Sequence, residues 1–220
     1  FSYIFTMKNV IAVVDSGLGG KNILWACERL MPNENFVYFA DTKNAPYGNK
    51  PRRKLLKIAE NLVQNVLDVY YPKIIVLGCN TLTAVAIKHL REKFKDVVFV
   101  GTEPAIKPAL KKYSKNEVVL FATKNTCKYY KNIKKIYIKN LPKLIDENIN
   151  NLNVINPILI KYFLKKKYKN IKGIILGCTH FIYLKENLVN ILGKNIEFFD
   201  NSEGVARQVK RLSENIKFHY

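Results

Sequence analysis

The chain has 220 residues, 48% of them hydrophobic, with 37 Lys and Arg against 17 Asp and Glu and a formal net charge of +20. That length supports one large domain or two small ones with real cores, and the composition excludes a disordered or fibrous chain. No apolar run approaches the ~18 residues of a membrane span, and Phe1–Thr6, though apolar, lacks the basic start and small-residue cleavage site of a secretion signal.

The predicted elements alternate along the chain. Val10–Val14 reads as a buried strand and 21–30 as a helix; 36–39 is a strand and 51–69 a long helix. A strand at 73–77, a helix at 81–94, a strand at 97–100 and a helix running through Ala109 complete a first set. A second set begins with strands at 118–121 and 134–138, then a helix at 156–167 and a strand at 173–176. It ends with a helix at 179–191, a strand at 196–199 and a helix at 202–213. Continuous β-branched runs separated by helices call for parallel sheets covered on both faces.

Two segments echo each other. Ile74-Ile-Val-Leu-Gly-Cys79-Asn-Thr and Ile174-Ile-Leu-Gly-Cys178-Thr-His both run strand, Gly, Cys, polar residue, helix. The expected fold is therefore α/β, with two similar parallel-sheet α/β domains facing each other across an active-site cleft. The expected division is 7–103 plus 204–220 for the domain carrying Cys79, and 104–203 for the domain carrying Cys178. Ligands of open α/β sheets bind at the carboxyl ends of the strands, where both cysteines fall.

The positive excess is mostly Lys spread beside Asn and Ile, and its densest run, Lys165-Lys166-Lys167-Tyr168-Lys169, reads as the solvated end of a helix. Compositional drift is the preferred reading. A nucleic-acid binder would concentrate Arg, Lys and aromatics in one patch, so nucleic acid is not an expected partner. The four cysteines, Cys27, Cys79, Cys127 and Cys178, form no CxxC pair. A reduced, cytoplasmic chain without disulfides or a metal site is expected. Met7 is a candidate start, with Phe1–Thr6 an extension ahead of it.

Cys79 and Cys178 each end an apolar strand and open a predicted helix, where backbone N–H groups and the helix dipole favour negative charge. A thiol there is expected to ionise below its usual value of about 8.5. A lone free Cys is more often a small buried hydrophobe; two in matching contexts favour chemistry. Asn80, Thr81 and Thr83 follow the first, and Thr179 and His180 the second; these side chains could hold a carboxylate or simply cap helices. Asp15-Ser16-Gly-Leu-Gly-Gly20 is not a phosphate-binding loop, lacking GxxxxGK[ST] and GxGxxG. Asp15 could orient a thiol or an ammonium group, or be a helix cap. Ala45-Pro46-Tyr47-Gly48 is a turn whose N–H groups could face a carboxylate. Thr123 and Thr126 fit capping. Cys27 reads as core, Cys127 as ambiguous, His89 as surface and His219 as tail.

In order, Asp15-Ser16-Gly17 with Gly19-Gly20, Pro46-Tyr47-Gly48, Cys79-Asn80-Thr81, Gly101-Thr102-Glu103-Pro104-Ala105 and Leu176-Gly177-Cys178-Thr179-His180 occur along one chain. This set resembles the glutamate racemases of the aspartate/glutamate racemase family, from about Val10 to the Asp200-Asn201-Ser202 segment. The resemblance implies cofactor-independent racemisation of L-glutamate to D-glutamate for peptidoglycan, with Cys79 and Cys178 as the two acid/bases. It implies that Asp15 and His180 assist the thiols and that Ser16, Pro46, Tyr47, Gly48, Asn80, Thr81, Thr123, Thr126 and Thr179 line the substrate site. A carboxylate from the second domain is also implied, and Glu147 is chosen for it over Asp146. The implied partner is glutamate, with no metal, cofactor or membrane, and a homodimer is left open. Departures are a shortening between Tyr130 and Pro157, Phe181-Ile182 where the family commonly has Tyr-Pro, and Leu82-Thr83 where it usually has Ala-Ser. The alternatives are an aspartate or other amino-acid racemase, and a non-catalytic binding protein on the same fold.

Overall fold

A computed structural model describes residues 9–216, apart from the side chain of Lys167. The readings made for Phe1–Thr6, Met7 and His219 lie outside the described residues. Two four-stranded sheets, every strand pairing parallel, form the cores of two lobes.

The first sheet contains β1 (Val10–Asp15), β2 (Asn35–Ala40), β3 (Ile74–Leu77) and β4 (Phe99–Gly101), in the order β2-β1-β3-β4. β1 and β3 are buried at every residue, as aliphatic runs covered on two faces must be. One face receives α2 (Arg52–Tyr70) and α3 (Asn80–Lys93). α2 presents Leu55, Ile58, Ala59, Leu62, Val63 and Val66, the three-and-four spacing of one helical stripe. It stops at Tyr71, whose left-handed φ of 46° turns the chain before Pro72, which cannot extend a helix. The other face receives α1 (Lys21–Leu30) and the last helix, α9 (Ser202–Asn215). α9 sets Val205, Ala206 and Val209 beside Ile11, Val13 and Ile23, so the chain's end returns to the first sheet.

The second sheet contains β5 (Val118–Ala122), β6 (Lys135–Ile136), β7 (Gly173–Gly177) and β8 (Glu197–Phe199), in the order β6-β5-β7-β8. α4 (Ile106–Lys112) precedes it and α5 (Lys124–Tyr129) follows β5. α6 (Leu141–Glu147), α7 (Asn156–Phe163) and α8 (Lys185–Leu192) bury Leu141, Ile145, Leu159, Phe163 and Leu188 in one cluster with Phe121 and Phe181. The two sheets thus repeat one order, with β1 and β3 matched by β5 and β7, and the repeat puts Cys79 and Cys178 at equivalent strand ends.

Several elements differ from expectation. The strand predicted at 134–138 keeps only Lys135–Ile136, the two residues that pair with Leu120 and Phe121 of β5 at the sheet edge. The helix predicted at 156–167 ends at Phe163 and gives way to a 3-10 turn at Lys166–Tyr168. The helix predicted at 179–191 is a 3-10 segment, Thr179–Leu184, followed by α8. Cys178 therefore does not open an α-helix as Cys79 does. No helix among the described residues is long and apolar enough to cross a membrane.

Candidate active site

The carboxyl ends of β1, β3, β5 and β7 converge, delivering Asp15, Cys79, Thr123 and Cys178 to one cleft between the lobes. Both thiols line a cavity of about 20 Å³ there, with Ser16, Pro46, Tyr47, Gly48 and Thr81 from the first lobe and Thr123, Pro142, Asp146 and His180 from the second. Far wider hollows exist. One, about 650 Å³, is an open basic depression lined by Lys134, Lys166, Lys169 and Lys172. Those residues lie at or just before the amino ends of β5, β6 and β7, away from the thiols, so size does not mark the site.

Cys79 is 7% exposed and Cys178 8%. Cys79 caps α3 from an extended conformation, and Ser16 Oγ lies 4.0 Å from its sulfur. Burial pushes the Cys79 thiol far up, and the Asp15 carboxylate adds to this, while the N–H groups of Leu82 and Thr81 pull the other way. Desolvation outweighs the helix terminus here, so the expectation of a lowered value fails for Cys79. On the other side, Cys178 Sγ lies 3.9 Å from His180 Nδ1. The far nitrogen of that ring, Nε2, is 3.3 Å from Asp146 Oδ1, close enough for an ion pair though off the line of a hydrogen bond. Burial depresses the His180 imidazolium, but Asp146, Cys178 and Asp15 together outweigh it and hold the group well above 6.5.

Asp15 is fully buried and its carboxyl is raised by that burial, against the opposing charge of His180. Its Oδ1 accepts from Gly17 N at 2.8 Å, and its Oδ2 accepts from Thr179 Oγ1 at 3.5 Å across the cleft. It stands between the two thiol clusters rather than capping α1, whose cap is Gly20. Gly19 permits this approach: a β-carbon there would stand 2.5 Å from His180 Nδ1 and 2.8 Å from its backbone N. At Gly48 a β-carbon would meet the Thr123 β-carbon at 2.8 Å.

The threonines join across the lobes. Thr81 Oγ1 and Thr123 Oγ1 are 2.8 Å apart, and Thr123 also caps α5 and donates to Thr126 Oγ1 at 3.1 Å. Thr126 is wholly buried, one hydroxyl removed from the cavity. Asn80 donates to the Thr102 carbonyl at 3.0 Å, a bond that ties α3 to the segment after β4. Tyr47 lines the cavity with its ring while its hydroxyl donates to Asp41 Oδ2 at 2.6 Å.

Of the expected site residues, Asp15, Asn80, Thr126 and Thr179 do not line the cavity itself, and Glu147 points away from it altogether. Glu147 is exposed, and its carboxylate sits 3.4 Å from Lys143 on the outer side of α6. Asp146, one position earlier, is the carboxylate that faces His180, because Leu141 and Ile145 fix which stripe of α6 is inward. Sequence reasoning also passed over Asp41, Tyr38 and Asn125. Tyr38 Oη donates to Gly17 O at 2.6 Å and braces the Asp15 loop; its place in β2 gave no signal beyond strand propensity. Cys27 is core, pushed up to about 12 by burial, and Cys127, pushed up to about 11, donates to Ala122 O at 3.6 Å. His89, expected at the surface, is partly buried and pairs with Glu60. No cluster among the described residues could hold a metal ion.

The chain resembles known proteins over nearly its whole length. No family-wide profile matches it. Glutamate racemase of Clostridium perfringens is 34% identical over 229 aligned residues, covering 95% of this chain and 85% of that protein. The Clostridium novyi glutamate racemase is 36% identical, covering 93% and 83%. Among solved structures, Escherichia coli glutamate racemase, in complex with L-glutamate and the activator UDP-MurNAc-Ala, superposes with a TM-score of 0.85 at 28% identity, over 96% of this chain and 84% of that one. The Thermus thermophilus glutamate racemase, in complex with β-chloro-D-alanine, gives 0.78 at 30% identity, over 94% and 81%. Likeness at that level, spread over nearly the whole chain rather than one motif, decides the matter: this chain belongs to the glutamate racemase family.

Proposed function

We propose that this chain interconverts L- and D-glutamate, with Cys178 taking the α-proton from the L form and Cys79 from the D form. The observation that carries the reading is the placement of two buried thiols, one at the end of β3 and one at the end of β7, on a single small cavity. Inverting one carbon requires a proton to leave one face and another to arrive on the opposite face. One acid/base on each lobe meets that requirement; the lobes we propose are 7–103 with 204–220, and 104–203.

In the forward direction the Cys178 thiolate accepts the α-proton, the electron pair passes into the carboxylate-stabilised carbanion, and the Cys79 thiol protonates the other face. Cys79 is left as thiolate and Cys178 as thiol, so the reverse reaction starts from the product state. We assign assistance to the nearest partners. His180, held by Asp146, serves Cys178, and Asp15 with Ser16 serves Cys79. To the developing negative charge, where preorganised donors matter most, we assign the hydroxyl groups of Thr81 and Thr123 on the cavity and the backbone N–H groups of Asn80 and Thr179 beside the two thiols. Asp146 takes the part first given to Glu147. Water exclusion by the closed cleft strengthens these contacts. Two working thiols fit a reducing compartment, the cytoplasm, and D-glutamate made there would feed peptidoglycan.

The test is optical. Purified protein given L- or D-glutamate should drive rotation or circular dichroism to zero from either side. Cys79→Ser and Cys178→Ser should each slow this by at least about 10³-fold, the scale of a lost acid/base. Full activity in either variant would end the two-thiol reading. Turnover of aspartate in preference to glutamate would redirect the substrate.

A further inference from the structure

The rim of the closed cleft is fastened by residues that proton transfer does not use. Asn125, in α5 of the second lobe, donates through Nδ2 to the Tyr47 carbonyl at 3.3 Å and to the Lys50 carbonyl at 2.9 Å. Its backbone N–H donates to the Gly48 carbonyl at 3.1 Å. Alongside, Tyr137 Oη donates to Asn49 Oδ1 at 2.7 Å, and Asn49 Nδ2 donates to Asn140 Oδ1 at 3.0 Å. Every residue from Tyr47 to Lys50 is therefore bonded to the opposite lobe. Asn125 has no local duty that would explain this. The cap of α5 is Thr123, which accepts from Thr126 N.

The cavity beneath, about 20 Å³, has room for roughly one water molecule. No amino acid fits until the rim opens. Tyr47 and Gly48 are also the residues through which the turn lines that cavity. Whatever holds the turn thus sets both access to the thiols and the position of one wall of the site.

We propose that Asn125 is a positioning residue: it latches the Tyr47–Lys50 turn onto the second lobe and holds the cleft closed over Cys79 and Cys178. Its role in turnover rests on the racemase reading; its role in closure does not. The latch must break for substrate to enter, and it re-forms over the bound molecule. The turn supplies neither acid/base, so loss of the latch weakens both enantiomers alike.

Two measurements test this on the full chain. The first is iodoacetamide labelling followed by peptide mass spectrometry, which reads each cysteine separately. Asn125→Ala should label Cys79 and Cys178 about tenfold faster, the scale of one or two lost hydrogen bonds, with Cys27 unchanged. Asn125→Asp, of equal size but unable to donate through its side chain, should follow Asn125→Ala. Asn49→Ala, at an exposed position, should give a smaller rise in the same direction without risk to folding. The second measurement is kinetic: KM for both enantiomers should rise about tenfold in Asn125→Ala, while kcat stays within about threefold. Unchanged labelling of Cys79 and Cys178, or a matching rise at Cys27 that signals general loosening, overturns the latch. If labelling changes as expected in a protein that racemises nothing, the latch stands and the racemase reading falls.

Discussion

Cys79 is where two influences of opposite sign meet. The N–H groups of the first turn of α3 favour a thiolate, while burial and the neighbouring Asp15 oppose it, and the opposition prevails. His180 follows the reverse pattern, kept protonated above its ordinary value of 6.5 by Asp146, Cys178 and Asp15 despite burial. A group raised in the folded state stabilises the fold fully below its unfolded value and loses that contribution as pH climbs through the folded one. Asp146→Asn removes the largest raising influence. Its melting temperature should fall furthest below the parent's near about pH 6, and the gap should narrow as pH rises through the raised folded-state value. Equal destabilisation at both ends would show that Asp146 acts by packing alone. Gly19→Ala should be costly too, about 1–3 kcal/mol in denaturant titration, since its β-carbon meets the backbone of His180 as well as the ring. Cys79, Cys178, Asp15 and His180 were legible because strand end, small residue and polar neighbour recur together. The choice between Asp146 and Glu147 was not. Neighbouring helix positions point about 100° apart, and the phase of α6 depends on how Leu141 and Ile145 seat, which local sequence does not state.

At the level of elements, the segment after Cys178 shows how tertiary packing overrides pattern. The apolar spacing of 179–191 suits one helix, yet Thr179–Leu184 winds as 3-10. Phe181 is fully buried there, stacked on Phe121 with ring centroids 4.2 Å apart, and Phe121 meets Phe163 edge-on at 5.0 Å. That aromatic anchor sits next to His180 and fixes the turn carrying it. Phe181→Ala should cost about 3–5 kcal/mol, and its racemisation rate should fall even where the protein remains folded. Retained full activity with the expected loss of stability would mean that His180 is held from elsewhere. The buried strands β1, β3, β5 and β7 were legible because a parallel strand covered on two faces admits little but aliphatics. β6 was overread, since an edge strand with one partner keeps only the residues its neighbour can bond. α5 and α6 are too short for periodicity to separate them from loop.

For the whole molecule, the two sheets meet through few polar bonds, and these concentrate around the cleft: Thr81 with Thr123, Thr179 with Asp15, Asn125 with the Tyr47–Lys50 turn. A ligand seated there touches both lobes and so opposes unfolding of each. Glutamate at about a hundred times its dissociation constant should stabilise the protein by about 2.7 kcal/mol, read as a concentration-dependent rise in melting temperature. A rise produced equally by an unrelated dicarboxylate would point to surface binding instead. The overall two-sheet design was legible from the echo between 74–81 and 174–180, because repeated strand–Gly–Cys units imply repeated surroundings. The width of the cleft was not, since it depends on side chains 42 to 164 positions apart in sequence.

The smallness of the cavity has a consequence for how dissolved salt acts. Outside, a chain of charge +20 draws an anionic amino acid toward it, and mobile ions weaken that attraction beyond a Debye length of about 8 Å at physiological strength. Inside, a space of about 20 Å³ excludes those ions once the rim has shut. Ionic strength should therefore divide the kinetic constants: kcat/KM declining as salt is added, kcat holding level.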